Sequence, residues 1–174
     1  MIHYADAENC LASVYRAAEM GRLGALRGRL KHLKVLGVPL NSNPGRGKRV
    51  LYTRDHVHQL AFCLELEEFG IDPSLVARVV KKHWKDWLGP GFEAVRQGKQ
   101  TIYFVFAPQF MSSGWNPSFT EFANLATPFG FVTGEDVAKT TLPIVDHGIG
   151  RLSLFNVTKL LRQIEPAFSK QTEV

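Results

Sequence analysis

Residues 22–54 carry Arg22, Arg27, Arg29, Lys31, Lys34, Arg46, Lys48, Arg49 and Arg54 and not one Asp or Glu. A one-sign block of this kind suits phosphate, because each Lys or Arg that neutralises a backbone charge releases a condensed counterion. The excess is local. Residues 1–60 hold ten Lys/Arg against four Asp/Glu, which is +6, while the whole chain of 174 residues sums to +5. Any one of these cations alone reads as a solvated surface charge, but together they read as an electrostatic footprint for a nucleic acid.

Other chemistry is poorly represented. Cys10 and Cys63 are too few and too far apart for a metal knuckle or a disulfide framework and read as reduced core thiols. His56 and His58 stand at i, i+2, which points them to different sides of a helix, and His83 falls on an apolar face. Asp146-His147 lacks a nearby Ser or Cys elbow. Neither an enzyme, a cofactor nor a metal site is expected. The leucines Leu23, Leu26, Leu30 and Leu33 are too few for a zipper and read as a core face.

The cations are positioned by a legible series of elements. Helical spacing covers residues 5–19, with Asp6 and Glu8 in the first turn, and Met20-Gly21-Arg22-Leu23-Gly24 breaks it. A second helix over 25–36 puts Leu26, Leu30 and Leu33 on one stripe and Arg27, Lys31 and Lys34 on the next. Residues 41–49 are turn formers tipped with Arg46, Lys48 and Arg49, and 38–40 and 50–52 are expected as the short strands of a basic hairpin. Thr53 caps a third helix through about 69, Gly70 ends it, and Asp72-Pro73 starts a fourth with Lys81, Lys82 and Lys85 off its inner face. The order is helix, turn, basic helix, basic hairpin, supporting helix. That order fits a helix in a major groove with a flanking clasp on the backbone.

Residues 13–82 resemble the DNA-binding domain of the MerR family. The likeness is carried by Leu36-Gly37-Val38-Pro39, the wing Gly45-Arg46-Gly47-Lys48-Arg49-Val50-Leu51-Tyr52, the following Thr53-Arg54-Asp55-His56-Val57, Glu68-Phe69-Gly70-Ile71, and the run 73–80. The resemblance implies a winged helix-turn-helix with its recognition helix at 25–36 and Arg46, Arg49 and Tyr52 against the DNA backbone. The full expected contact set is Arg22, Arg27, Arg29, Lys31, His32, Lys34, Arg46, Lys48, Arg49, Tyr52 and Arg54. The family's Arg-Tyr-Tyr is replaced here by Arg29-Leu30-Lys31-His32, and no long dimerisation helix follows residue 85.

A boundary is expected in the breaker-rich 84–91, dividing a mainly α domain (1–90) from a small α+β domain (91–174). In the second part, 101–106 and 151–155 read as strands and 157–168 as a helix. Residues 100–138 are aromatic and hold no Lys or Arg, which suits a core or a homodimer contact rather than a single-strand groove. The reading is a dimeric, sequence-specific regulator on double-stranded DNA, with RNA polymerase as a further partner. An excisionase-like DNA-bending factor, or a regulator with an effector pocket in 91–174, are its alternatives. No run approaches the roughly 18 to 20 apolar residues of a membrane helix, so a cytoplasmic, nucleoid-associated protein is expected.

Overall fold

The computed structural model describes residues 1–42, 50–107, 129–139 and 152–172. The fold is mostly helical with one small antiparallel sheet. Helix α1 (Tyr4–Val14) is followed by α2 (Leu23–Val35), α3 (Arg54–Glu68) and α4 (Pro73–His83). A π-helical turn, Trp84–Leu88, then leads into α5 (Gly89–Gln97). Strands β1 (Ile102–Phe106), β2 (Phe129–Thr133) and β3 (Ser153–Asn156) precede the last helix, α6 (Val157–Thr172).

The helix ends follow from local chemistry. The Thr53 hydroxyl accepts the His56 N–H at the start of α3, and the Asp72 carboxylate accepts the Ser74 N–H (2.8 Å) at the start of α4, where Pro73 needs no hydrogen bond. Helices α2 and α3 both close on a left-handed glycine: Gly37 and Gly70 each have φ of 79°, and the next residue's N–H returns to Leu33 or Leu66. Helix α1 closes in the same way at Arg16 (φ 50°), with the Ala17 N–H on the Ala12 carbonyl at 2.9 Å. It therefore stops at Val14, five residues short of the expected end.

Two further segments differ from expectation. Residues 38–40 and 50–52 form no paired strands. Instead the Tyr52 backbone bridges Ile2, with N···O distances of 2.7 and 2.9 Å, and the Gln59 side chain accepts the Leu40 N–H at 2.7 Å. The hairpin tip, residues 43–49, lies outside the described residues. The expected bend at 84–91 is instead helical, because Pro90 falls in the first turn of α5, where its missing N–H costs nothing. Gly89 is needed there, since a Cβ would stand 2.9 Å from the Trp84 carbonyl oxygen.

In the sheet β1 is central, in the order β2-β1-β3, with Phe104 opposite Phe131 on one side and Phe155 on the other. Phe104 and Phe155 meet Phe62 of α3, whose centroid lies 5.1 Å from that of Phe104, and Phe131 packs on Phe104. Helix α6 lays Leu160, Leu161, Ile164 and Phe168 inward and packs chiefly on α1. One hydrophobic cluster consequently runs from Ile2 to Phe168 and takes residues from both sides of position 90. Among the described residues no helix is long and apolar enough to cross a membrane.

Candidate nucleic-acid interface

Helix α2 buries Leu26, Leu30 and Leu33 and exposes Gly24, Ala25, Arg27, Gly28, Lys31, His32, Lys34 and Val35. It has no acid, and Arg22 stands at its N-cap without a side-chain cap. Among the described residues Arg22 and Lys31 make no ion pair, and the Lys34 ammonium lies 5.6 Å from the centre of the Tyr4 ring. Arg27 divides its role. Its Nε donates to Glu8 at 2.6 Å, tying α2 to α1, while 52% of its side chain remains exposed.

Three of the expected contact residues are engaged inside the protein. Arg29 donates to Glu67 (2.7 Å), to Glu68 and to the Leu64 carbonyl (2.9 Å), which holds α2 on α3. The Glu67 side chain is only 8% exposed and its second oxygen has no hydrogen-bond partner among the described residues. Burial accordingly raises the Glu67 carboxyl above the usual range, with Arg29 opposing. Arg54 lies 3.0 Å from Glu165 of α6, as an ion pair whose Nε geometry makes no hydrogen bond, and its guanidinium covers the Phe168 ring at 5.3 Å. Tyr52 is 1% exposed between the rings of Tyr4 and His56, its hydroxyl is unpartnered among the described residues, and burial pushes its pKa up to about 12. Arg46, Lys48 and Arg49 lie outside the described residues, as does Asp146-His147.

The outward charge extends further than the sequence window. On α4 and the turn after it, Arg78, Lys81, Lys82 and Lys85 are all exposed, at i, i+3, i+4 and i+7. Lys81 reaches back to the end of α2, where a Cβ on Gly37 would stand 3.1 Å from its ammonium. The sequence set Lys81, Lys82 and Lys85 off the inner face of this helix, but the expected contact set stopped at Arg54 because acids intervene. In the fold most of those acids have partners of their own: Asp55 accepts from Gln59 and Trp84, Glu65 from Tyr15, and Glu67 and Glu68 from Arg29, while Asp72 stays exposed as the cap of α4. The signal that could have found them was the basic helical spacing from Arg78 to Lys85.

Comparison with family models, curated proteins and solved structures finds no match.

Two glycines on the same helix have no internal explanation. A Cβ at Gly24 or Gly28 would meet nothing within 4 Å. Each glycine costs about 1 kcal/mol of helix stability relative to Ala, and packing among the described residues gives no reason for it. The histidines at 56 and 58 are separated as their spacing requires: His56 turns to the Thr53 N–H (3.3 Å), and the buried His58 turns to Glu165 (3.2 Å). Among the described residues no group of three or more His, Cys, Asp or Glu could hold a metal ion.

Proposed function

We propose that this chain is a sequence-specific, double-stranded DNA-binding regulator that lays α2 in a major groove. The observation that carries the reading is the outer face of α2, with Arg22, Arg27, Lys31 and Lys34 exposed, no acid on the helix itself, and only Arg27 of the four tied to a carboxylate, Glu8 of α1, among the described residues. An α-helix fits a major groove about 12 Å wide, and the open positions at Gly24 and Gly28 let its backbone approach a groove wall. Arg27 and Lys31 are the base readers in this reading. Arg78, Lys81, Lys82 and Lys85 of the α4 side face phosphates, as do Arg46, Lys48 and Arg49 of the segment after α2. A single module has a small footprint, so useful specificity calls for two half-sites and a homodimer held through residues 92–174.

The test is binding to a selected duplex and to a scrambled one over a range of salt. Affinity is expected to fall steeply with salt on both, with a slope set by several phosphates, and to favour the selected duplex. An affinity independent of salt overturns the reading. Light scattering of the full chain at micromolar concentration tests the dimer, and a monomer removes it.

A further inference from the structure

Two arginines of α2 are tied to carboxylates of neighbouring helices, and the ties leave different things over. Arg29 donates through Nε, Nη1 and Nη2, to Glu67, Glu68 and the Leu64 carbonyl, so its guanidinium is used inside the protein. Arg27 donates through Nε alone, to Glu8 of α1 at 2.6 Å. Among the described residues its Nη1 and Nη2 have no acceptor, and 52% of the side chain is exposed. The Glu8 side chain is 11% exposed, so the carboxylate that holds Nε lies in the seam between α1 and α2. A guanidinium is planar, and anchoring Nε sets the direction of the two parallel N–H donors at its exposed end. Arg27 stands beside Gly24 and Gly28, where a Cβ would meet nothing within 4 Å, and Lys31 follows one turn later.

We propose that Arg27 reads a guanine through O6 and N7 in the major groove, and that Glu8 is its positioning residue. This rests on the DNA reading above and adds to it the base and the residue that aims the reader. Guanine alone offers two acceptors on its major-groove edge. Adenine sets an amino donor beside its acceptor, thymine offers one oxygen, and cytosine offers a donor. Two parallel donors therefore fit guanine and are opposed by the amino group of adenine or cytosine. A phosphate would accept the same donors, but it is bound chiefly through net charge, and the Glu8 carboxylate offsets much of the charge on Arg27. Arg78, Lys81, Lys82 and Lys85 make no ion pair among the described residues and are the better phosphate ligands. Hydrogen bonds to a neutral base edge depend on direction instead, which Glu8 supplies. The anchored side chain also gives up less rotamer freedom on binding than a free arginine does.

The experiment measures affinity of the full chain for the selected duplex with each guanine of either strand replaced in turn. One replacement is deazaguanine, in which a C–H stands in place of N7; the other is inosine, which keeps both major-groove acceptors and lacks the minor-groove amino group. At one guanine, deazaguanine is expected to weaken binding about tenfold and inosine to change it less than about twofold. Arg27→Ala brings the ratio of guanine to deazaguanine affinity at that position close to one. Glu8→Ala reduces the ratio about threefold or more, and Glu8→Gln, which keeps an acceptor for Nε, reduces it less. A merely structural role for Glu8 weakens both duplexes alike and does not move the ratio. Thermal unfolding shows which Glu8 variants fold, and either one that does decides the point. Salt-dependent binding with no guanine sensitive to loss of N7 overturns the guanine reading and leaves the DNA reading standing, as does a ratio that survives Arg27→Ala. An equal loss with inosine places the contact in the minor groove and overturns it too. A ratio that falls with Arg27→Ala and is undiminished in a folded Glu8 variant overturns the positioning role. Salt-independent binding, or none, overturns the DNA reading itself.

Discussion

The two sides of α2 put similar residues to opposite uses. On the α3 side, Arg29 meets a carboxylate that is 8% exposed, and its charge is absorbed by the fold. On the outer side, Lys31 is exposed and makes no ion pair among the described residues. Two positions of helical rotation separate a structural tie from a candidate reader, and the difference lies in the partner's burial rather than in the residue's own charge. A charge count therefore overstates an interface wherever a carboxylate from a distant element folds underneath it.

The largest effect that can break this comparison is Arg29→Ala. It strands the Glu67 carboxylate in the seam, and breaking such a pair costs about 3 to 5 kcal/mol when fully buried, less here because Arg29 is 31% exposed. A loss of about 2 to 3 kcal/mol is expected from denaturant midpoints at unchanged slope. A loss below about 0.5 kcal/mol would return Arg29 to the surface set.

Lys31→Ala is expected to do the reverse. Stability stays within about 0.5 kcal/mol, while affinity for the selected duplex drops by about 1 to 3 kcal/mol and the scrambled duplex loses little. Lys82→Ala should instead weaken both duplexes alike and lower the salt slope by about one. If the two variants exchange these signatures, α4 reads bases and α2 holds the backbone.

A smaller effect sharpens the comparison. Gly28→Ala adds a methyl to open space, so the free protein should gain up to about 1 kcal/mol in thermal unfolding while its DNA affinity falls. Tighter DNA binding by this variant would leave the glycine without a role at the interface.

The smallest concerns pH. Glu65 has its folded carboxyl raised above 4.5 mainly by burial, so its protonated form suits the fold better than its charged one. Its contribution is fully present below the unfolded value near 4.5 and is lost as pH rises through the folded value. Glu65→Gln should therefore flatten that part of the stability profile, measured as unfolding midpoint against pH. An unaltered profile would assign the slope to Glu67.

Much of the first half was legible because its signals are local. Thr53, Asp72-Pro73, Gly37 and Gly70 act within a turn of themselves, and each ends or starts a helix where its chemistry indicates. Arg16 was not legible as a stop, since nothing in an arginine announces a left-handed φ. The strand pairing of 38–40 with 50–52 failed for a different reason: Tyr52 found a closer backbone partner in Ile2, fifty residues away. Pro90 read as a breaker because its position within a helix turn is fixed by where α4 and its π-turn happen to end. For the site, the α2 cations were visible, but the inward use of Arg29 and Arg54 depends on Glu67 and Glu165. No local pattern links Arg54 to an acid 111 positions later.

The packing of α6 against α1 has a consequence for the order of events during synthesis. The Cys10 thiol lies 3.9 Å from the Ile164 carbonyl, a contact across 154 positions, and Leu11 is fully covered. While the ribosome is still making the sheet, α1 has no lid, and its apolar face stays open to water and to chaperones. Native closure comes only once residues near 164 have left the exit tunnel, so the earliest helix is completed by one of the latest.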